Sequence, residues 1–166
     1  MRTLLLLVFG LALTPASAAD RKPSRTSLIA AEKQFDAMVL SKWTDDPYVL
    51  LGNTRAIYVD GFGVIMTAEI NLSTGPTVSP FNPTISREAV ARHRDKKMQR
   101  LPQLKELIRK GAESARTWFP ELADGDNVVV GVTVLKYYWE DATGIPSQLV
   151  GITQHRKEAA VKLQEN

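Results

Sequence analysis

Between Ser86 and Phe119 the apolar residues Val90, Met98, Leu101, Leu104, Ile108, Ala112 and Ala115 recur at helical steps, and on both sides of this stretch the period changes to two. Upstream, Val64, Met66, Ala68, Ile70 and Leu72 alternate with Ile65, Thr67, Glu69 and Asn71. Downstream runs VVVGVTVLKYYW, residues 128–139, whose first half is apolar on both faces, the composition of a central strand. A long helix between two blocks of strand admits few folds. With a helix before the first block and another after the second, the order is α-β-β-α-β-β-α. It predicts an α+β fold: a single antiparallel sheet of four to five strands, packed with the long helix and with N- and C-terminal helices. The order is reminiscent of roadblock and profilin-like sandwiches, a likeness of topology that carries no function.

The long helix poses a problem of size. Thirty-four helical residues extend about 51 Å, whereas a chain of this length packs into a globule about 40 Å across. Pro102 lies in the middle of the stretch; it removes a backbone donor and crowds the preceding turn, which predicts a kink or break near Leu101. The first helix spans 27–43, with Ser27 as its cap and Asp45-Asp46-Pro47 as its stop. Residues 48–51 form a short strand or a buried connection, and 56–59 a strand. Asp60-Gly61 turns this strand back, with Gly63 placed for a bulge. Residues 73–85, with Gly75, Pro76, Pro80 and Pro83, form a stiff strap or a functional loop. Residues 148–154 return as the hairpin partner of 128–139, and 156–164 read as the C-terminal helix.

Residues 1–18 form a leader: Arg2, an apolar run from Leu4 to Leu13, then Pro15 and Ala16-Ser17-Ala18. This is the pattern of a secretory signal peptide, and it predicts a periplasmic or extracellular protein. Residues 19–26 read as a flexible arm and 27–166 as a single domain. No later stretch is long enough to span a membrane. There is no cysteine, which excludes disulfides, a thiol nucleophile and thiolate metal sites. Lys and Arg number 21 against 18 Asp and Glu, so charge is close to balanced overall. It is uneven along the chain. Residues 86–110 carry Arg87, Arg92, Arg94, Lys96, Lys97, Arg100, Lys105, Arg109 and Lys110 against Glu88, Asp95 and Glu106.

Chemistry is sparsely signalled. Glu69 alternates with Thr67 and Asn71, which fits the wet side of a half-solvated sheet; the catalytic alternative pairs it with Glu140 or Asp141 as acid and base of a small hydrolase. His93, among cations, reads as a solvated helix residue. His93 and His155 match no metal motif, and there is no nucleophile elbow, phosphate loop or cofactor fingerprint. Arg92, Lys96 and Arg100 fall at four-residue steps, a stripe suited to anionic groups of the envelope, or a plain solvated face. Export argues against nucleic acid as the partner. Tyr137 and Trp139, carried on one face with Ile65, Thr67 and Asn71, form an outer sheet surface suited to another protein or a second copy.

Arg55-Ala56-Ile57-Tyr58-Val59-Asp60-Gly61-Phe62-Gly63-Val64, Thr67-x-Glu69-Ile70-Asn71-Leu72, Arg100-Leu101-Pro102 and Trp139-Glu140-Asp141-x-Thr143-Gly144-x-Pro146-Ser147-Gln148 resemble exported proteins of acidobacterial-type bacteria. The resemblance spans roughly residues 27–155. It implies export and one domain, and brings with it no activity, cofactor or site. Together these features predict a non-enzymatic binding or interaction domain that uses the outer sheet face or the 73–85 loop. The small hydrolase and an envelope anion binder using helix 86–110 stand as alternatives.

Overall fold

The computed structural model describes residues 22–43, 49–77, 80, 84–157 and 160–166. The predicted signal peptide, the first residues of the arm, and the Asp45-Asp46-Pro47 stop lie outside the described residues. Helix α1 covers Arg25–Leu40. Its cap is Ser24, whose side chain accepts from the Ser27 backbone N–H, so the helix begins two residues earlier than predicted. Leu28, Ala31, Phe35 and Val39 fall on one stripe and are buried.

Strands β1 (Val49–Leu50) and β2 (Arg55–Val59) both pair antiparallel with β3 (Gly63–Asn71). They lie end to end along the same edge of it. Gly63 has φ +124°, and a Cβ there would sit 2.0 Å from the Asn127 carbonyl oxygen, so only glycine fits. Helix α2 (Arg87–Trp118) then leads to β4 (Asn127–Val134), β5 (Gln148–Gln154) and β6 (Lys162–Glu165). The result is one six-stranded sheet in which β3, β4, β5 and β6 follow in order, with β1 and β2 sharing the far edge.

The α+β class and the single sheet stand, but the sheet is mixed rather than antiparallel. β3 and β4 are parallel neighbours, Gly63 opposite Asn127 through Ile70 opposite Val134. A 32-residue helix returns the chain to the starting end, the crossover that parallel pairing requires. Both helices pack on the face bearing Val64, Met66, Ile70, Val128, Val130 and Val132, all buried. On the other face, Ile57, Ile65, Val129 and Ile152 stand in register as one row across four strands. Ile57 on that row is 56% exposed.

Two further expectations are corrected. α2 runs unbroken through Pro102. An interior proline costs roughly 3 kcal/mol, while burying a leucine or isoleucine contributes about 1.5–3 kcal/mol. Leu101 and Leu104 on either side of the proline and Ile108 beyond it are all buried, which outweighs the break. At the C-terminus the predicted helix is replaced by β6, antiparallel to β5 from Leu149 opposite Glu165 to Ile152 opposite Lys162. So short a helix is marginal alone in water, whereas the free edge of β5 offers a row of backbone partners. Val161 and Leu163 gain partial burial against the core.

Candidate functional site

Because β3 and β4 are parallel, the segments that follow them leave the sheet at the same end. This is the carboxyl end, where open α/β sheets place their ligands. The crossover helix begins at that end and overhangs it. Its C-terminal part, from Leu104 through Ala115, is an apolar stripe over the sheet. Its N-terminal part continues the stripe past the sheet with His93, Lys97 and Arg100, all buried. The chain after Asn71 and the chain after Val134 close over these polar residues.

Lys97 Nζ donates to Glu140 Oε2 at 2.6 Å and to the Leu135 carbonyl oxygen at 2.8 Å. His93 Nε2 lies 2.9 Å from the same Glu140 oxygen. Glu140 Oε1 is buried with no partner among the described residues. Tyr137 and Trp139 stack with centroids 5.2 Å apart and 8° between planes. Trp139 lies 5.0 Å from the His93 ring, and Lys97 Nζ lies 5.6 Å from the Tyr137 ring centroid. Asn71 Nδ2 donates to Tyr137 Oη at 2.8 Å, which ties the end of β3 to this roof. A Cβ at Gly75 would lie 2.6 Å from the Trp139 ring, so the close approach of the 73–76 segment requires glycine.

Burial pushes the His93 imidazole below its ordinary value; the Glu140 hydrogen bond opposes this, and the Lys97 and Lys96 charges add to it. Burial likewise lowers Lys97, against the pull of Glu140. His93 is therefore neutral near pH 7. A carboxylate only accepts, so the His93 proton sits on Nε2 and leaves Nδ1 as an acceptor. No described residue bonds Nδ1.

The His93 ring lines a cavity of about 220 Å³, together with Ser73, Thr74, Pro76, Ala89, Arg92 and Lys96. Among the described residues its lining holds two hydroxyl-bearing residues, two basic residues and a histidine, and no acidic residue. A groove of about 510 Å³, lined by Trp43, Arg92, Asp95, Lys96, Gln99, Arg100 and Gln103, adjoins it through the shared Arg92 and Lys96.

The site residues named from the sequence scatter. Arg92 is exposed and Lys96 half-buried, but Arg100 is buried: its Nη1 donates to the Leu72 carbonyl oxygen at 2.6 Å, and its guanidinium lies 5.7 Å from the Trp43 ring centroid. The three do not form one exposed stripe. Tyr137 and Trp139 are not on the outer sheet face, because β4 ends at Val134 and both rings turn over the sheet end toward α2. Asn71 is buried beside them. Ile65 and Thr67 remain on the outer face, as does Glu69, which is exposed. Glu140 instead lies in the cluster under α2, so the structure does not bring these two carboxylates together. Asp141 is at the surface, held by the Thr143 backbone N–H at 2.9 Å and Arg94 at 3.4 Å. Hydrogen bonds from Thr143 and the nearby Arg94 charge keep its carboxyl below the usual range.

His93 is a correction: it is buried and paired, not solvated. Lys97 escapes sequence reasoning altogether. The signal for both is their spacing, since positions 93, 97 and 101 extend the buried stripe of α2 in four-residue steps. Among the described residues no group of three His, Asp or Glu side chains is placed to hold a metal ion. No described helix is long and apolar enough to cross a membrane. Compared with protein-family models, curated proteins and solved structures, the chain finds no match.

Proposed function

We propose that the protein is an exported binding domain that takes a small oxyanion in the cavity between the 73–76 segment and the N-terminal part of α2. The leader pattern supports export. The observation that carries the binding reading is the cavity lining: Arg92, Lys96, His93, Ser73 and Thr74, with no acidic side chain among the described residues. Arg92 supplies a permanent charge and a planar fork of donors, and the Thr74 hydroxyl a further donor. The volume lies below the roughly 300–1,000 Å³ of drug-sized ligand sites, which suits an ion or a single anionic group. The adjoining groove leaves room for whatever that group is attached to. Calorimetric titration with inorganic phosphate at low salt tests the reading. It predicts saturable binding that weakens with ionic strength and by at least tenfold in Arg92→Ala. No heat of binding, or equal affinity in the variant, contradicts it.

A second reading rests on the row Ile57, Ile65, Val129 and Ile152, which no described helix covers. It takes the outer sheet face as a protein-contact surface. Light scattering after size exclusion tests it: a dimer lost in Ile57→Glu supports the reading, and a monomer at all concentrations removes self-association.

A further inference from the structure

We propose that the ligand group is a hydrogen phosphate, whose P–OH donates its proton in a hydrogen bond to His93 Nδ1. This deepens the oxyanion reading and rests on it. An oxyanion site made only of donors accepts sulfate and phosphate alike, since both are tetrahedral and anionic. The cavity here is not made only of donors. His93 Nε2 is committed to Glu140, whose other bond is to Lys97. The remaining ring nitrogen is an acceptor on a ring that lines the cavity. A ligand filling the cavity must present a donor there or leave two lone pairs opposed. Inorganic hydrogen phosphate keeps a P–OH at neutral pH and sulfate has none; a phosphate monoester, with a second pKa of about 6, keeps one only in its minority monoanion. Arg92 and Thr74 are then left for the ionised oxygens.

The Glu140–Lys97 pair is what fixes this polarity. Glu140 holds the proton on Nε2, and Lys97, buried against the same oxygen, balances the carboxylate charge. Among the described residues the charged groups facing the imidazole are Glu140 from the segment after β4 and Arg92, Lys96 and Lys97 from α2; the 73–76 segment adds none. If His93 is protonated, Nδ1 becomes a donor and the distinction between the two anions disappears. The selection therefore holds above the lowered pKa of His93 and fades below it.

The test is calorimetric titration of the intact domain with phosphate and with sulfate at matched ionic strength, at pH 7.5 and at pH 5. Inorganic phosphate, glycerol 3-phosphate and phosphatidic-acid vesicles run as separate arms distinguish free ion, soluble monoester and lipid headgroup as the source. The expected result is at least tenfold preference for phosphate at pH 7.5, and no larger a preference at pH 5. His93→Asn, which keeps the Lys97–Glu140 pair, is expected to bind both anions with similar affinity, its fold checked by circular dichroism. Equal binding of both anions by the native protein at pH 7.5 overturns the inference and leaves the oxyanion site standing. Binding of neither overturns both.

Discussion

Lys97 Nζ lies 2.6 Å from Glu140 Oε2, with both side chains almost fully withdrawn from solvent and the His93 ring on the same oxygen. A buried ion pair gains little over apolar packing, but breaking one is costly, because the surviving charge is left without water or partner. Lys97→Met is therefore expected to lower stability by about 3–5 kcal/mol in urea denaturation. Adding Glu140→Leu should restore much of that loss. A single-variant cost below about 1 kcal/mol is incompatible with a buried pair.

His93 gives stability a pH dependence of known sign. Its folded pKa lies below the ordinary imidazole value of 6.5, so between the two values the unfolded chain binds a proton that the folded chain resists. Stability is complete above pH 6.5 and declines as pH falls, with a slope of at most about 1.4 kcal/mol per pH unit from this group. The decline ends once the folded imidazole itself protonates. Denaturation curves of the native protein and His93→Asn between pH 5 and 8 measure the difference. Parallel profiles place the ring in solvent.

Gly63 holds the junction of the two parallel strands. Its positive φ and the 2.0 Å approach of a Cβ to the Asn127 carbonyl oxygen leave no room for alanine. Gly63→Ala is expected to cost at least about 2 kcal/mol, from the backbone strain together with the displaced β4. A neutral substitution contradicts the parallel register at Asn127.

The same junction shows where sequence reasoning stops. The alternation of residues 64–72 and 128–134 names the inward rows, and Val64, Met66, Val128 and Val130 are indeed buried. Alternation is the same for parallel and antiparallel neighbours, so it does not say which strands meet. Aromatic alternation extends the second run to Trp139, whereas the ladder ends at Val134. The candidate site is hidden for a related reason. Lys97 and His93 occupy stripe positions that a hydropathy pattern assigns to solvent, and Glu140, which makes their burial tolerable, lies more than forty residues away in sequence. β6 is four residues long and is fixed by the edge of β5, not by its own periodicity.

That edge yields another expectation. Removing residues 160–166 exposes the backbone of β5 and strips Val161 and Leu163 from the core. Their half-buried side chains contribute about 2–3 kcal/mol together. The truncated protein should melt earlier and aggregate on standing. Unchanged stability and solubility would mean that β6 does not guard the sheet.

The most direct test of the account is amide chemical-shift mapping of the isotopically labelled domain during a phosphate titration. The account predicts saturable shifts centred on Ser73, Thr74, Ala89, Arg92, His93 and Lys96, with the outer sheet face around Ile57 and Thr133 unmoved. Shifts centred on the sheet face, or none at millimolar phosphate, would contradict it.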